Sequence, residues 1–243
     1  MTLLSFVIPT RNRPRALART IETLGQLTVP ADSAFSWSEC EAIVIDNASA
    51  APLNLPALLP NGLPVRRWRM RSNLGAAARN EAAHQARGDW LVMLDDDAAP
   101  EDGAILSLLP RVPSPVIGLC ADIHVPGRGR EAGGLPEVPI GCGFAVRREA
   151  FQEVGGYDPS YLFYAEEYDL AAKLIRRFAD SPGPILVHEP KFRVTHHKVM
   201  DRRSMDTILY RLVRNNAWTT QRYTPDAYLE RTLAHTLARY RTI

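Results

Sequence analysis

Short apolar runs, each closing on a polar cluster, alternate with helix-spaced segments through the first half of the chain, and this alternation leaves few folds open. Residues 4–8 run into Pro9-Thr10-Arg11-Asn12, residues 42–45 into Asp46-Asn47, and residues 90–94 into Asp95-Asp96-Asp97. A weaker run at 65–70 carries alternating arginines, which suits a more exposed strand. Between the runs, Pro14 fits a first helical position, and Leu17, Ile21 and Leu24 recur at helical spacing. Gly75 opens an Ala-rich helix that Gly88 is expected to terminate. Such alternation predicts an α/β fold with right-handed crossovers and a mostly parallel sheet. The polar clusters, with Asn73-Leu74-Gly75 as a fourth, then lie at strand ends, where open α/β sheets bind ligands.

The acidic trio is the most informative cluster. Unpaired carboxylates are costly to desolvate inside a buried strand, so the trio belongs at the strand's carboxyl end. Hard oxygen donors there suit Mg²⁺ or Mn²⁺. An acidic turn leading into a helix through Ala98-Ala99-Pro100-Glu101-Asp102 accounts for the same residues equally well. Further on, the sequence predicts a strand at 116–120, a Gly- and Pro-rich loop at 124–139 and a glycine-containing strand at 140–146. A helix at 166–178, short strands at 185–187 and 192–195, and two amphipathic terminal helices complete the pattern.

Composition narrows the class. An apolar fraction of 46% and a charged fraction of 23% over 243 residues suit one soluble globular domain. A net charge of +2 makes no case for nucleic acid. No stretch approaches the roughly 18 apolar residues of a membrane span. The N-terminus reads as a first strand rather than a secretion leader. Cys40, Cys120 and Cys142 are odd in number and widely spaced, as expected of reduced cytoplasmic thiols. Residues 191–243 hold 11 Lys or Arg against 4 Asp or Glu, which favours an anionic acceptor, peripheral contact with a membrane surface, or solvated helix faces.

The stretches at 7–13, 44–49, 73–80 and 94–97 come in order, followed by Gly141-Cys142-Gly143-Phe144, Gly155-Gly156-Tyr157-Asp158, Glu166-Glu167-Tyr168-Asp169-Leu170, His196 and Arg214-Asn215. In number, order and spacing this set resembles family 2 glycosyltransferases of GT-A fold, over nearly the whole chain. The resemblance implies a single GT-A-like domain over 1–243: a Rossmann-like, mostly parallel sheet flanked by helices. Within it, 1–97 would form the nucleotide-binding half, 98–200 the acceptor-binding half, and 201–243 the C-terminal helices. It implies inverting, Mn²⁺- or Mg²⁺-dependent transfer of a hexose-type sugar from a UDP- or dTDP-linked donor to a hydroxyl or amine of a small-molecule natural product or glycan.

By the same resemblance, Asp46 bonds the base while Pro9, Thr10 and Arg11 wall its pocket. Asn73, Gly75 and Arg79 border the nucleotide, Asp95 meets the ribose or a metal-bound water, and Asp96 joins the nucleotide set. Asp97 and His196 hold the cation. Glu167 is the base, a Glu where the family more often has Asp, with Glu166 and Asp169 as possible supporting acids. Arg214 and Asn215 are within reach of the diphosphate or lie on a helix surface. Tyr157, Tyr161, Phe163 and Tyr164 form an acceptor wall or pack in the core. Two other readings compete: a sugar nucleotidyltransferase, which would carry a Gly-rich basic loop where this chain has Pro9-Thr10-Arg11-Asn12, and a non-catalytic nucleotide-sugar-binding module.

Overall fold

The computed structural model of the chain describes residues 2–132, 138–198, 204–238 and 240. In chain order the first half holds β1 (Thr2–Thr10), α1 (Pro14–Gln26), β2 (Glu41–Asp46), β3 (Val65–Arg69), α2 (Ala78–Gln85, entered through a tight turn at Gly75–Ala77) and β4 (Gly88–Met93). The second half holds β5 (Ala98–Pro100), α3 (Ile105–Leu108), β6 (Gly118–Val125), β7 (Gly129–Ala132), β8 (Phe144–Arg147), α4 (Arg148–Glu153), α5 (Glu166–Arg177), β9 (Leu186–His196), α6 (Met205–Tyr223) and α7 (Asp226–Ala238).

One sheet runs β3-β2-β1-β4-β8-β6-β9-β5, with β7 paired to β6. Its first four strands are parallel, so their carboxyl ends share one edge. β8 is antiparallel to both β4 and β6, while β6 and β9 are parallel and β5 closes the edge antiparallel to β9.

Alternation along β1 sends Phe6 and Ile8 to one face and Val7 to the other. The first face packs with Leu17, Ile21 and Leu24 of α1. α1 has no side-chain cap at its start. Burial of three large apolar side chains, about 1.5–3 kcal/mol each, outweighs that lack. The opposite face receives Ala78, Ala82 and Ala83 of α2 and Leu170 and Leu174 of α5, so both helices that carry site residues rest on the strands that carry the rest.

Five sequence readings change, the first being that the loop expected at 124–139 holds the end of β6 and the strand β7. Gly88 does not cap a helix; it begins β4, where a Cβ would lie 2.4 Å from the Leu4 backbone carbonyl carbon. Residues 98–100 form the edge strand β5, not a helix start, because β9 supplies a hydrogen-bonding partner that no local signal announces. The two short strands expected near 185–195 are one, β9. Residues 140–143 form a turn, with the Gly143 N–H donating to the Ile140 carbonyl at 2.9 Å, and only Phe144–Arg147 is strand.

Candidate active site

The aligned strand ends are stitched together by polar side chains. Asp46 ends β2; its Oδ1 accepts the Ser49 N–H at 2.8 Å and its Oδ2 lies 3.6 Å from Arg69. Asn47 accepts the Leu74 N–H at 2.8 Å and donates to the Gly75 carbonyl at 3.0 Å, joining the second strand end to the third. Asn73 is exposed and accepts the Gly75 N–H at 3.1 Å. Gly75 sits at φ +61°, and a Cβ there would fall 2.0 Å from the Leu162 carbonyl oxygen, which accepts the Ala76 N–H at 2.6 Å. No other residue type fits that left-handed, crowded position without shifting the 162 backbone. Pro9 is half-buried and Arg11 exposed at the first strand end.

The three aspartates past β4 point three ways. Asp95 has a 40% exposed side chain and pairs with Arg79 at 2.5 Å. Asp96 is buried: Thr10 Oγ1 donates to it at 2.6 Å, Arg13 approaches at 2.7 Å, and Thr20 binds its carbonyl at 2.9 Å. Burial pushes its carboxyl up to about 7 against the pull of Arg13 and Thr10. The sequence reading set Asp96 and Thr10 among the nucleotide contacts; their side chains instead bond to one another beneath the site. Asp97 is also buried, pairs with Arg13 through Oδ2, and faces His196 Nε2 at 3.3 Å through Oδ1. Pairing of Ala98 with His196 in the β5–β9 ladder produces that meeting, and the His197 N–H donates to the Asp97 carbonyl at 2.8 Å.

His196 Nδ1 lies 2.7 Å from Glu131 and 3.6 Å from Cys142 Sγ. Glu131 also pairs with Lys198. One ligand atom from each of Asp95, Cys142 and His196 lies within 4.8 Å of the other two.

Opposite the aspartates, α5 begins after a left-handed Tyr164-Ala165 pair at φ +73° and +62°. Glu167 is half-buried and its Oε1 accepts the Gly141 N–H at 3.3 Å. Glu166 is buried, with Oε2 unpartnered among the described residues. Burial raises the proton affinity of both; the charge of Glu167 adds to it at Glu166, while Arg79 opposes it at Glu167. Arg79, itself buried in α2, links the two sides. It donates to Asp95 and, at 3.3 Å, to the carbonyl of Gly141, the same residue whose N–H meets Glu167.

Asp169 does not support this group. It is fully buried away from it and pairs with Lys173 at 2.7 Å, Arg222 at 3.2 Å and the Tyr223 hydroxyl at 2.8 Å. Asn215 and Arg214 do not point at a diphosphate either. Asn215 donates to the carbonyls of Tyr161, Phe163 and Tyr164 at 3.0, 2.9 and 2.7 Å, and Arg214 to those of Ser160 and Tyr161 at 3.1 and 3.3 Å. Both therefore shape the loop that delivers Glu166 and Glu167. Tyr157 and Tyr161 are core residues, whereas Phe163 and Tyr164 stay half-exposed.

Arg13, Glu131 and Cys142 were not singled out from sequence. Arg13 closed a recognised stretch but was given no role of its own. Glu131 stood in a segment read as loop, and Cys142 between glycines read as strand. In all, the carboxylates of Asp95, Asp96, Asp97, Glu131, Glu166 and Glu167 crowd a site with Arg13, Arg79 and Lys198 as its permanent cations.

The model for glycosyl transferase family 2 matches residues 5–169. Over 231 residues the chain is 27% identical to an uncharacterized glycosyltransferase of Haemophilus influenzae, covering 84% of this chain and 72% of that one. The structure of S. aureus TarS 1–349 in complex with UDP-GlcNAc superposes with a TM-score of 0.65 at 15% identity, over 100% of this chain and 73% of that one. Mannosyltransferase PcManGT from Pyrobaculum calidifontis, in complex with GDP-Man and Mn²⁺, superposes with a TM-score of 0.64 at 14% identity, over 98% of this chain and 69% of that one. At these identities the two structures establish the GT-A-type fold.

Proposed function

The chain belongs to glycosyl transferase family 2, and we propose that it is an inverting, divalent-cation-dependent hexosyltransferase that takes a UDP- or dTDP-linked sugar. The acceptor is a hydroxyl or amine of a natural product or glycan. One observation carries this reading: Arg79 bridges Asp95 on the cation side to Gly141 and hence Glu167 on the other, so the two chemical halves share one rigid link.

Asp97 and His196 would hold Mn²⁺ or Mg²⁺. Two donors of oxygen and imidazole type fit the former better, and Mn²⁺ accompanies GDP-Man in PcManGT. When bound, the cation neutralises charge developing on the departing nucleoside diphosphate. Asp46 and Asn73 meet the nucleoside, with Pro9, Arg11 and Gly75 along the rim, and Asp95 meets the ribose. Binding of UDP-GlcNAc by TarS supports a uridine nucleotide. Glu167 takes the proton of the acceptor hydroxyl or amine as its lone pair bonds to the anomeric carbon, while the electrons of the sugar–phosphate bond leave with the diphosphate. A proton affinity raised by burial, with the charge of Asp95 adding to it, suits Glu167 to that task. No described helix is long and apolar enough to cross a membrane. Three buried cysteines outside any disulfide support a cytoplasmic location.

The test is Glu167→Gln, assayed by nucleoside diphosphate release from a nucleotide-sugar panel. Donor binding should persist while turnover falls by about 10²–10⁴-fold. Near-normal turnover would transfer the role to Glu166. Pyrophosphate release from a nucleoside triphosphate and a sugar phosphate would instead identify a nucleotidyltransferase.

A further inference from the structure

Cys142 has no part in the transfer chemistry, yet its sulfur faces the site. The Gly141-Cys142-Gly143 turn holds it inward, and it is 1% exposed. Its Sγ lies 3.6 Å from His196 Nδ1, and an Asp95 oxygen completes a three-donor set within 4.8 Å. We propose that Asp95, Cys142 and His196 form a second cation site, selective for soft divalent ions such as Zn²⁺, that excludes the productive one.

Geometry and donor type both favour it. Tetrahedral Zn²⁺ with Zn–S of about 2.3 Å and Zn–N of about 2.0 Å sets its sulfur and nitrogen ligands about 3.5 Å apart. The observed 3.6 Å separation matches without backbone movement. A thiolate strongly prefers Zn²⁺ over Mg²⁺ or Mn²⁺, whereas Asp97 with His196 Nε2 offers no sulfur. Coordination displaces both the thiol proton and the Nδ1 proton to solvent, since a ligating thiol is deprotonated and a ligating ring nitrogen must offer its lone pair. Asp95 is the exposed member and gives the ion its way in.

The imidazole serves one site at a time. In the productive arrangement Nδ1–H is held by Glu131 and Nε2 faces Asp97. In the soft site Nδ1 gives its lone pair to the ion, Glu131 keeps only Lys198, and Asp95 leaves Arg79. Zn²⁺ thereby removes a nucleotide contact and a cation ligand together, and acts as an inhibitor.

Co²⁺ makes the site visible, because cobalt–thiolate ligation gives a charge-transfer band that oxygen and nitrogen donors do not. Titration of the purified full chain with Co²⁺ should give that band at one ion per chain, and Zn²⁺ should abolish it. The band should survive in the Cys40→Ser/Cys120→Ser double variant, where Cys142 is the remaining thiol, and vanish in Cys142→Ser. If Cys142→Ser does not fold, the double variant alone decides. No band in the wild type or in the double variant, or a band retained in Cys142→Ser, overturns the site. The band reports thiolate ligation whether or not the chain transfers a sugar.

Discussion

His196 is where the residue-scale physics concentrates. Burial works against its charged form, but Asp97, Cys142 and Glu131 around the ring outweigh burial and push its pKa up to about 12. Without a cation the ring therefore carries both protons at neutral pH, and a metal ion at Nε2 must displace one of them. Glu131 determines which proton stays. By accepting from Nδ1 it leaves Nε2 to face Asp97, the arrangement by which carboxylates orient metal-binding histidines. Glu131→Ala is expected to weaken Mn²⁺ affinity by about 10–100-fold, with Glu131→Gln, whose amide oxygen still accepts from Nδ1, recovering part of the loss. Calorimetry checks this directly; wild-type Mn²⁺ affinity in both variants would remove Glu131 from the site. The residues legible in the sequence were those with a chemical signature at a strand end or helix start. Glu131 had none, because what matters about it is a contact 65 positions away along the chain.

At the scale of elements, α6 docks by polar contacts rather than by an apolar stripe. Asn215 is its one fully buried residue and clamps the loop ahead of Glu166, while Arg222 reaches Asp158 at 2.7 Å and Asp169 at 3.2 Å. Burial raises the Asp158 pKa, but Ser160 and Arg222 outweigh it and bring the carboxyl to about 2. A carboxyl lowered on folding stabilises the fold above its unfolded pKa of about 4, and that contribution is lost as pH falls toward about 2. Since Arg222 is partly exposed, Arg222→Ala should lower stability by only about 1 kcal/mol at pH 7, and by less at pH 2. Urea unfolding at both pH values tests this, and an equal loss at both would show that the Asp158 pair is not responsible. Asp169 read from sequence as a possible partner of the base because it follows Glu166 by three positions. Its role as an anchor for α6 depends on a helix more than 50 residues later. Likewise β5 is a strand only because β9 lies beside it; a pattern as short as Ala98–Pro100 carries no period of its own.

Over the whole molecule, the parallel half was readable because its strands share one local grammar, an apolar run followed by a polar end, with helices α1 and α2 spaced between them. The strand order puts those ends on one edge, and three of them are tied together by Asn12, Ser49, Asn47 and Asn73. The mixed half was less readable. Its antiparallel pairings and the bulge between Ala121 and Asp122 depend on contacts distant in sequence. Yet that half supplies His196 and Glu167, which face the first half across Arg79 and Asp97. The account rests on a cation bound by Asp97 and His196 beneath a nucleoside diphosphate. The most direct test is calorimetric titration of UDP and dTDP into wild type and Asp97→Ala, each with and without Mn²⁺. In the wild type, Mn²⁺ should tighten binding of the preferred nucleotide at least tenfold, about 1.4 kcal/mol, and in Asp97→Ala it should have no effect. Full Mn²⁺-dependent affinity in Asp97→Ala would contradict the account.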